Sequence, residues 1–398
     1  MNLFLVLVYK YKTRKMNMQR IILFFIGITL TQILWAQQAE KIPSYAKEKR
    51  EMRWYKEQIK AWDQVIQKNQ KDENAWYNYY KANRIVIFND EENQPSVREK
   101  DQRLIDIVDR MGKQIPETYT YNFCKWQLGG NNMEYYPFLK KAIAIAPERT
   151  EHYDYMINIG ELERDMALRN EYCLKVQQSG QLSSGMMYYN YNTMIGLSQN
   201  AILLTSGDND TYPSWVLQAM GIRKDVKVIN LYLLHIESYR DKVFKELGIQ
   251  HVELTKETEF DFFNHKLVQH MSKNKLNATV YLALTSAGNH AFINEIENQL
   301  YLTGLVYQYD TNALDNMAML KLNFEKKYTL DYLDKPFYNE ISKEWVSMIN
   351  QNYIVPMMKL YEHYKMSGEL QKQQWIKEKL LLVSKGSAEE DKIHDLLN

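Results

Sequence analysis

Asn200-Ala201-Ile202-Leu203-Leu204-Thr205-Ser206-Gly207-Asp208-Asn209-Asp210-Thr211-Tyr212-Pro213-Ser214-Trp215 is the stretch on which the fold turns. Ala201 to Thr205 is an apolar run of strand length. It breaks into a turn built from glycine and acids, and Trp215 to Met220 then resumes in helical style. Val226 to Leu234 is a second apolar run, so strand, helix and strand follow one another and predict a parallel pair joined by a crossover. A third run, Ala278 to Thr285, comes after the helical segment Phe260 to Lys273. Runs this uniformly apolar suit strands covered on both faces. Leu300 to Tyr309, with Gly304 inside it, predicts a closing strand pair or a strand after a tight glycine turn. Residues 197–312 thus read as a small parallel α/β sheet domain of Rossmann-like type.

On either side the pattern is helical. Trp54 to Trp62 places aromatic and aliphatic residues at helical spacing, continues through Val65 and Ile66, and stops at Lys68 to Asp72; a new helix opens at Ala75-Trp76. The same break followed by an aromatic helix recurs at Ile115-Pro116-Glu117-Thr118-Tyr119 and Ala146-Pro147-Glu148, where each proline is expected to fill a first helical turn. Phe88 to Asp101, polar and acidic, is expected to interrupt the series as a loop. After Tyr332, helical spacing returns through Trp345, Ile349, Met357, Leu360, Tyr364 and Trp375, with Pro356 opening a helix pair and Gly368 at its turn. The expected organisation is a signal peptide over 1–36, a helical-repeat domain over 37–196, the α/β domain over 197–312 and a helical region over 313–398. The fold class is α plus α/β.

The leader is expected from Arg20, the apolar run Ile21 to Thr31 and Ala36 ahead of Gln37-Gln38, a layout that directs export and leaves no mature transmembrane helix. The basic stretch before Met16 suggests a start at Met16 or Met18. Across 398 residues, 50 Lys+Arg balance 49 Asp+Glu, so no basic field is available for nucleic acid. The two cysteines, Cys124 and Cys173, are compatible with a disulfide or with two buried thiols.

Two resemblances follow from these residues. The helix pairs of about 44–178 and 345–385 resemble tetratricopeptide repeats, whose stacked pairs imply a groove for a protein partner. Asn200 to Trp215, together with Gly221-Ile222-Arg223-Lys224-Asp225-Val226 and Tyr301-Leu302-Thr303-Gly304-Leu305, resembles the soluble C-terminal region of bacterial protein O-mannosyltransferase-like membrane proteins over about 200–309. The membrane half of that family, where sugar transfer is expected, has no counterpart in this sequence. The resemblance therefore implies a domain and not a catalyst.

In open parallel sheets, ligands bind beyond the carboxyl ends of the strands. That places Asp208, Asn209, Asp210 and Thr211 after the first strand, His235 after the second, and Asn289 and His290 after the third as candidate ligand-binding residues. Asp208 and Asp210 are the candidate metal ligands, since two carboxylates near imidazole and amide oxygens suit a divalent cation and a sugar or sugar-phosphate ligand. The same residue types also build turns and helix caps through local hydrogen bonds, so the loop reads equally as architecture. No dinucleotide loop, phosphate loop, nucleophile elbow or His-Glu-x-x-His pair is present. The expected function is an exported binding or scaffold protein of the periplasm or outer envelope of a Gram-negative bacterium. The alternative is a metal-dependent carbohydrate-active enzyme or an accessory subunit of an envelope glycosyltransferase.

Overall fold

The computed structural model describes residues 38–397 apart from 46–47, 93–95, 131, 275–277, 287–295, 336 and 338–339. The expected leader, 1–36, lies outside the described residues. The described chain falls into two compact units that divide between Arg149 and Thr150.

The first unit holds α1 (Met52–Lys68), α2 (Glu73–Asn89), α3 (Val97–Gln114), α4 (Tyr119–Leu128) and α5 (Tyr136–Ile145). Helix α1 turns Tyr55, Trp62 and Ile66 inward at helical spacing, and α2 meets them with Ala75, Trp76, Tyr79 and Tyr80. The aromatic stripe is inter-helix core. Between the two helices, Asp72 caps α2 by accepting from the Ala75 N–H at 2.9 Å, and the Trp76 indole donates to the Gln70 carbonyl at 3.0 Å. Two expectations are corrected here. Pro116 and Pro147 do not open helices: each follows the residue that caps the end of α3 or α5, where the missing N–H stops the helix. The acidic stretch also conceals a helix start, because Ser96 and Glu99 form a capping box that begins α3 at Val97.

The second unit begins with α6 (Tyr153–Glu163), α7 (Met166–Gln178) and α8 (Ser184–Ile195). It continues through β1 (Ile202–Thr205), α9 (Asp208–Ala219), β2 (Lys227–Asn230), α10 (Glu237–Leu247), α11 (Lys256–Asp261), α12 (Leu267–Lys273), β3 (Val280–Ala283), β4 (Leu300–Leu302) and β5 (Val306–Tyr309). The strand order is β2-β1-β3-β5-β4. β1 pairs in parallel with β2 and with β3, whereas β5 runs antiparallel to both β3 and β4. The sheet is therefore mixed and not parallel throughout. Thr303 to Leu305 is too short a link for a crossover, so β4 and β5 form a hairpin. A side chain at Gly304 would fall on the Tyr328 hydroxyl, which itself accepts from the Leu305 N–H at 3.1 Å, so only glycine fits that turn.

One face of the sheet, with Ile202, Leu204, Ile229, Val280 and Leu282, shares a core with Tyr239, Val243 and Phe244 of α10 and Leu267 and Met271 of α12. The intervening Leu203, Val228 and Tyr281 are buried as well, so both faces are covered. β2 is an edge strand, and α9 shields it: the Val226 carbonyl accepts from Gln218 Nε2 at 2.6 Å and the Val228 carbonyl from Trp215 Nε1 at 3.2 Å. The compact division falls inside the helical stretch 37–196, because Leu162 of α6 packs against the sheet's core.

After the sheet come α13 (Asn316–Leu322), α14 (Asp331–Asp334), α15 (Lys343–Asn350), α16 (Ile354–Ser367), α17 (Leu370–Ser384) and α18 (Glu390–Leu397). Met186 and Tyr189 of α8 join Met357, Leu360 and Tyr364 of α16 and Ile376 and Leu380 of α17 in one core. Pro356 lies in the first turn of α16, and Gly368, at φ +73°, ends it in the left-handed conformation that favours glycine. Cys124 in the first unit and Cys173 in the second are buried unbridged thiols, and burial pushes the Cys173 thiol up to about 12. Among the described residues, no helix is long and apolar enough to cross a membrane.

Candidate functional site

The crevice beyond the carboxyl ends of β1 and β3 is where the strand order reverses direction, since β1 is flanked by β2 on one side and β3 on the other. β1 delivers Thr205, Ser206 and Gly207 to this point, and α9 starts at once at Asp208, ahead of the helical pattern read from Trp215 onward. The early start is the work of Asp210. From the third position of the helix its carboxylate turns back, Oδ1 accepting from the Gly207 N–H at 2.8 Å and Oδ2 from the Ser206 N–H at 3.1 Å. The Thr211 hydroxyl donates to Oδ1 at 3.2 Å, and the Thr285 hydroxyl, just past β3, donates to Oδ2. A carboxylate at a helix N-terminus is also favoured by the helix dipole. Asp210 is only 3% exposed; burial raises its carboxyl above the ordinary range, and the hydrogen bonds from Thr285, Ser206, Gly207 and Thr211 oppose that rise.

Thr211 is buried and joins two strand ends. Its Oγ1 lies 2.8 Å from the Thr205 hydroxyl and accepts from Asn230 Nδ2 at 2.9 Å. Pro213, inside α9, has no N–H for the Asn209 carbonyl four residues back. Asn190 of α8 supplies the missing donor at 2.8 Å. Asn209 therefore enters the structure through its backbone. Asp208 is exposed in the first turn of α9, and its carboxyl is raised, first by the crowding of the protein around it and then by the Asp210 charge.

His235 stands apart from this cluster. Its ring stacks on Phe263 with centroids 3.8 Å apart, and Nδ1 lies 3.1 Å from Glu259 Oε1. Among the described residues, no hydrogen bond or ion pair joins it to Asp208 or Asp210. Asn289 and His290 lie outside the described residues. Among those described, no group of three or more His, Cys, Asp or Glu side chains gathers to hold a metal ion. The arrangement ties the exits of β1, β2 and β3 together, with Asp210 and Thr211 as the knots.

A second polar cluster escaped sequence reasoning. Glu161 of α6 is wholly buried, yet it meets Arg164 on Oε1 and Arg169 of α7 on Oε2 at 2.6 Å, and accepts from the Tyr239 hydroxyl at 2.6 Å. A buried carboxylate is tolerated because it is paired and fully hydrogen-bonded. Arg164 continues the chain to Glu246 of α10 through Nε at 3.0 Å and Nη2 at 2.8 Å. Gly160 allows the approach, since a Cβ there would lie 2.6 Å from the Arg169 nitrogen. The spacing Glu161, Arg164, Arg169 is a visible signal. Tyr239 and Glu246 are too far away in sequence to be joined to it by inspection.

No curated protein matches the chain. Residues 186–383, which run from α8 through the sheet to α17 and contain the acidic loop, match the family TMEM260-associated domain 2, so this stretch fits a C-terminal region of TMEM260-like proteins.

Proposed function

We propose that the protein is an exported binding or scaffold protein of the Gram-negative envelope, with tetratricopeptide-like helix pairs for a protein partner and a Rossmann-like sheet unit as a ligand module. In this reading, the kinship with O-mannosyltransferase-like proteins is that of an accessory domain. The observation that carries it is the state of Asp210. Its two oxygens already accept four hydrogen bonds from the protein, so the most suggestive carboxylate of the loop serves as a cap and a strand tie. A general acid or metal ligand would need a lone pair or proton directed outward.

The test is twofold. Native protein from envelope fractions is expected to begin near Gln37, and site-specific crosslinkers on the first unit are expected to capture one recurrent partner. Sugar transfer or hydrolysis by the purified chain, abolished by Asp208→Asn, would replace this reading with the enzymatic one.

A further inference from the structure

Away from the acidic loop, a pocket of about 240 Å³ lies beside the edge strand β2, between the start of α7 and the last turns of α10. Its charged walls are Arg164, Arg169, Lys224, Lys227 and Glu246, with Glu161 behind them, so four cations meet two carboxylates. The excess of two positive charges is not spread evenly. Arg164 is committed on every edge to Glu161 and Glu246. Arg169 gives only Nη1 to Glu161, and its other edge meets nothing stronger than Asn170 Oδ1 at 3.4 Å. Lys227 reaches Glu246 at a long 3.4 Å, and Lys224 is exposed with no ion pair among the described residues.

The backbone adds a donor. The Lys227 and Leu231 N–H groups donate to β1, and the alternation of a parallel strand then turns the Val228 N–H away from β1, towards the outer edge of β2, whose residues line the pocket. Arg164 itself ends α6 at φ +58°, in the left-handed conformation common at helix C-termini.

We propose that this pocket binds the phosphate dianion of a small molecule, with the Nε–Nη2 edge of Arg169, held only by long bonds to Asn170, the ammonium groups of Lys224 and Lys227 and the Val228 N–H as its donors. Two negative charges match the excess of two positive ones, and a guanidinium edge with a backbone N–H suits tetrahedral oxygens. Val243 and Leu247 give the pocket an apolar wall for the carbon skeleton of an ester. The volume is below that of pockets for drug-sized ligands, which limits the skeleton to a few carbons.

The experiment is titration calorimetry of the full mature chain in 0.15 M salt, with glycerol 3-phosphate, inorganic phosphate and glycerol as probes. Saturable binding of a phosphate probe and none of glycerol is expected. The double variant Lys224→Gln with Lys227→Gln is expected to bind at least tenfold more weakly and to melt close to the wild type without ligand, since both side chains are exposed and no like charges are brought together. Tighter binding of the ester than of inorganic phosphate would assign the site to a phosphate ester, and equal binding would assign it to free phosphate. No saturable binding of either at a Kd of about 1 mM or below, or equal binding by wild type and double variant, would overturn the proposal.

Discussion

Replacing Asp210 by alanine separates a structural loop from a ligand loop. The substitution strips an acceptor from the N–H groups of Ser206 and Gly207 and from the hydroxyls of Thr285 and Thr211. The hydroxyls can rotate, and Thr211 keeps Thr205 and Asn230 as partners, so the lasting loss is that of the two backbone donors. At about 1–1.5 kcal/mol each, they amount to about 2–3 kcal/mol, less whatever is regained by no longer burying a charge. Asp208→Ala removes an exposed carboxylate with only a helix-dipole role and is expected to cost about 0.5 kcal/mol or less. Asp210→Asn keeps one acceptor oxygen and falls between the two. Urea unfolding at pH 7, followed on the transition of the unit that contains Trp215, measures all three. A loss below about 0.5 kcal/mol for Asp210→Ala, or equal losses for the two alanine variants, would refute the reasoning.

The pH dependence of the same pair has a defined sign. The folded Asp210 carboxyl lies above its ordinary value, so the wild type's advantage over Asp210→Asn is full below the ordinary carboxylate range and declines as pH rises through the folded value; an advantage that grows with pH would contradict this. Asp225 has the opposite sign, because the Arg223 guanidinium holds its carboxyl down at about 2, so its contribution is present above the ordinary carboxylate value and is lost as pH falls towards 2, readable as an NMR titration that shifts upward in Arg223→Ala. Asn190→Ala leaves the Asn209 carbonyl without its donor and is expected to cost about 1–2 kcal/mol, and Pro213→Ala in the same background, which restores a helical N–H for that carbonyl, is expected to recover part of it in denaturant melts. Arg240 is 3% exposed and, among the described residues, has one side-chain hydrogen bond, to the Leu234 carbonyl, and no partner for Nε, so Arg240→Met is expected to change the melting temperature little or to raise it; a fall of more than about 8 °C would show that the charge is needed.

The strands were legible because strand length and unbroken apolarity coincide at Ile202–Thr205, Lys227–Asn230 and Val280–Ala283. Their partners were only half legible. A crossover helix announces parallel pairing of β1 with β2, but nothing local to Val306–Tyr309 says that it will lie antiparallel between β3 and β4. Pro116 and Pro147 misled because a proline is as compatible with a helix stop as with a helix start, and only the capping bonds to the Met111 and Ala142 carbonyls decide between them. In the loop, the residue types pointed equally to a cap and to a ligand site. What the local sequence does not show is Thr285, brought to Asp210 across 75 residues by the pairing of β1 with β3. The Glu161 cluster was hidden for the same reason, since Tyr239 reaches it from α10.

Amide hydrogen exchange at Ser206 and Gly207, with and without a divalent cation, tests most directly whether the loop is architecture. If Asp210 is a cap and strand tie, both amides are protected to the level of the neighbouring β1 amides and a cation leaves them unchanged. Fast exchange in the free protein that slows when a cation is added, with the slowing lost in Asp210→Asn, would contradict the account and make the loop a ligand site.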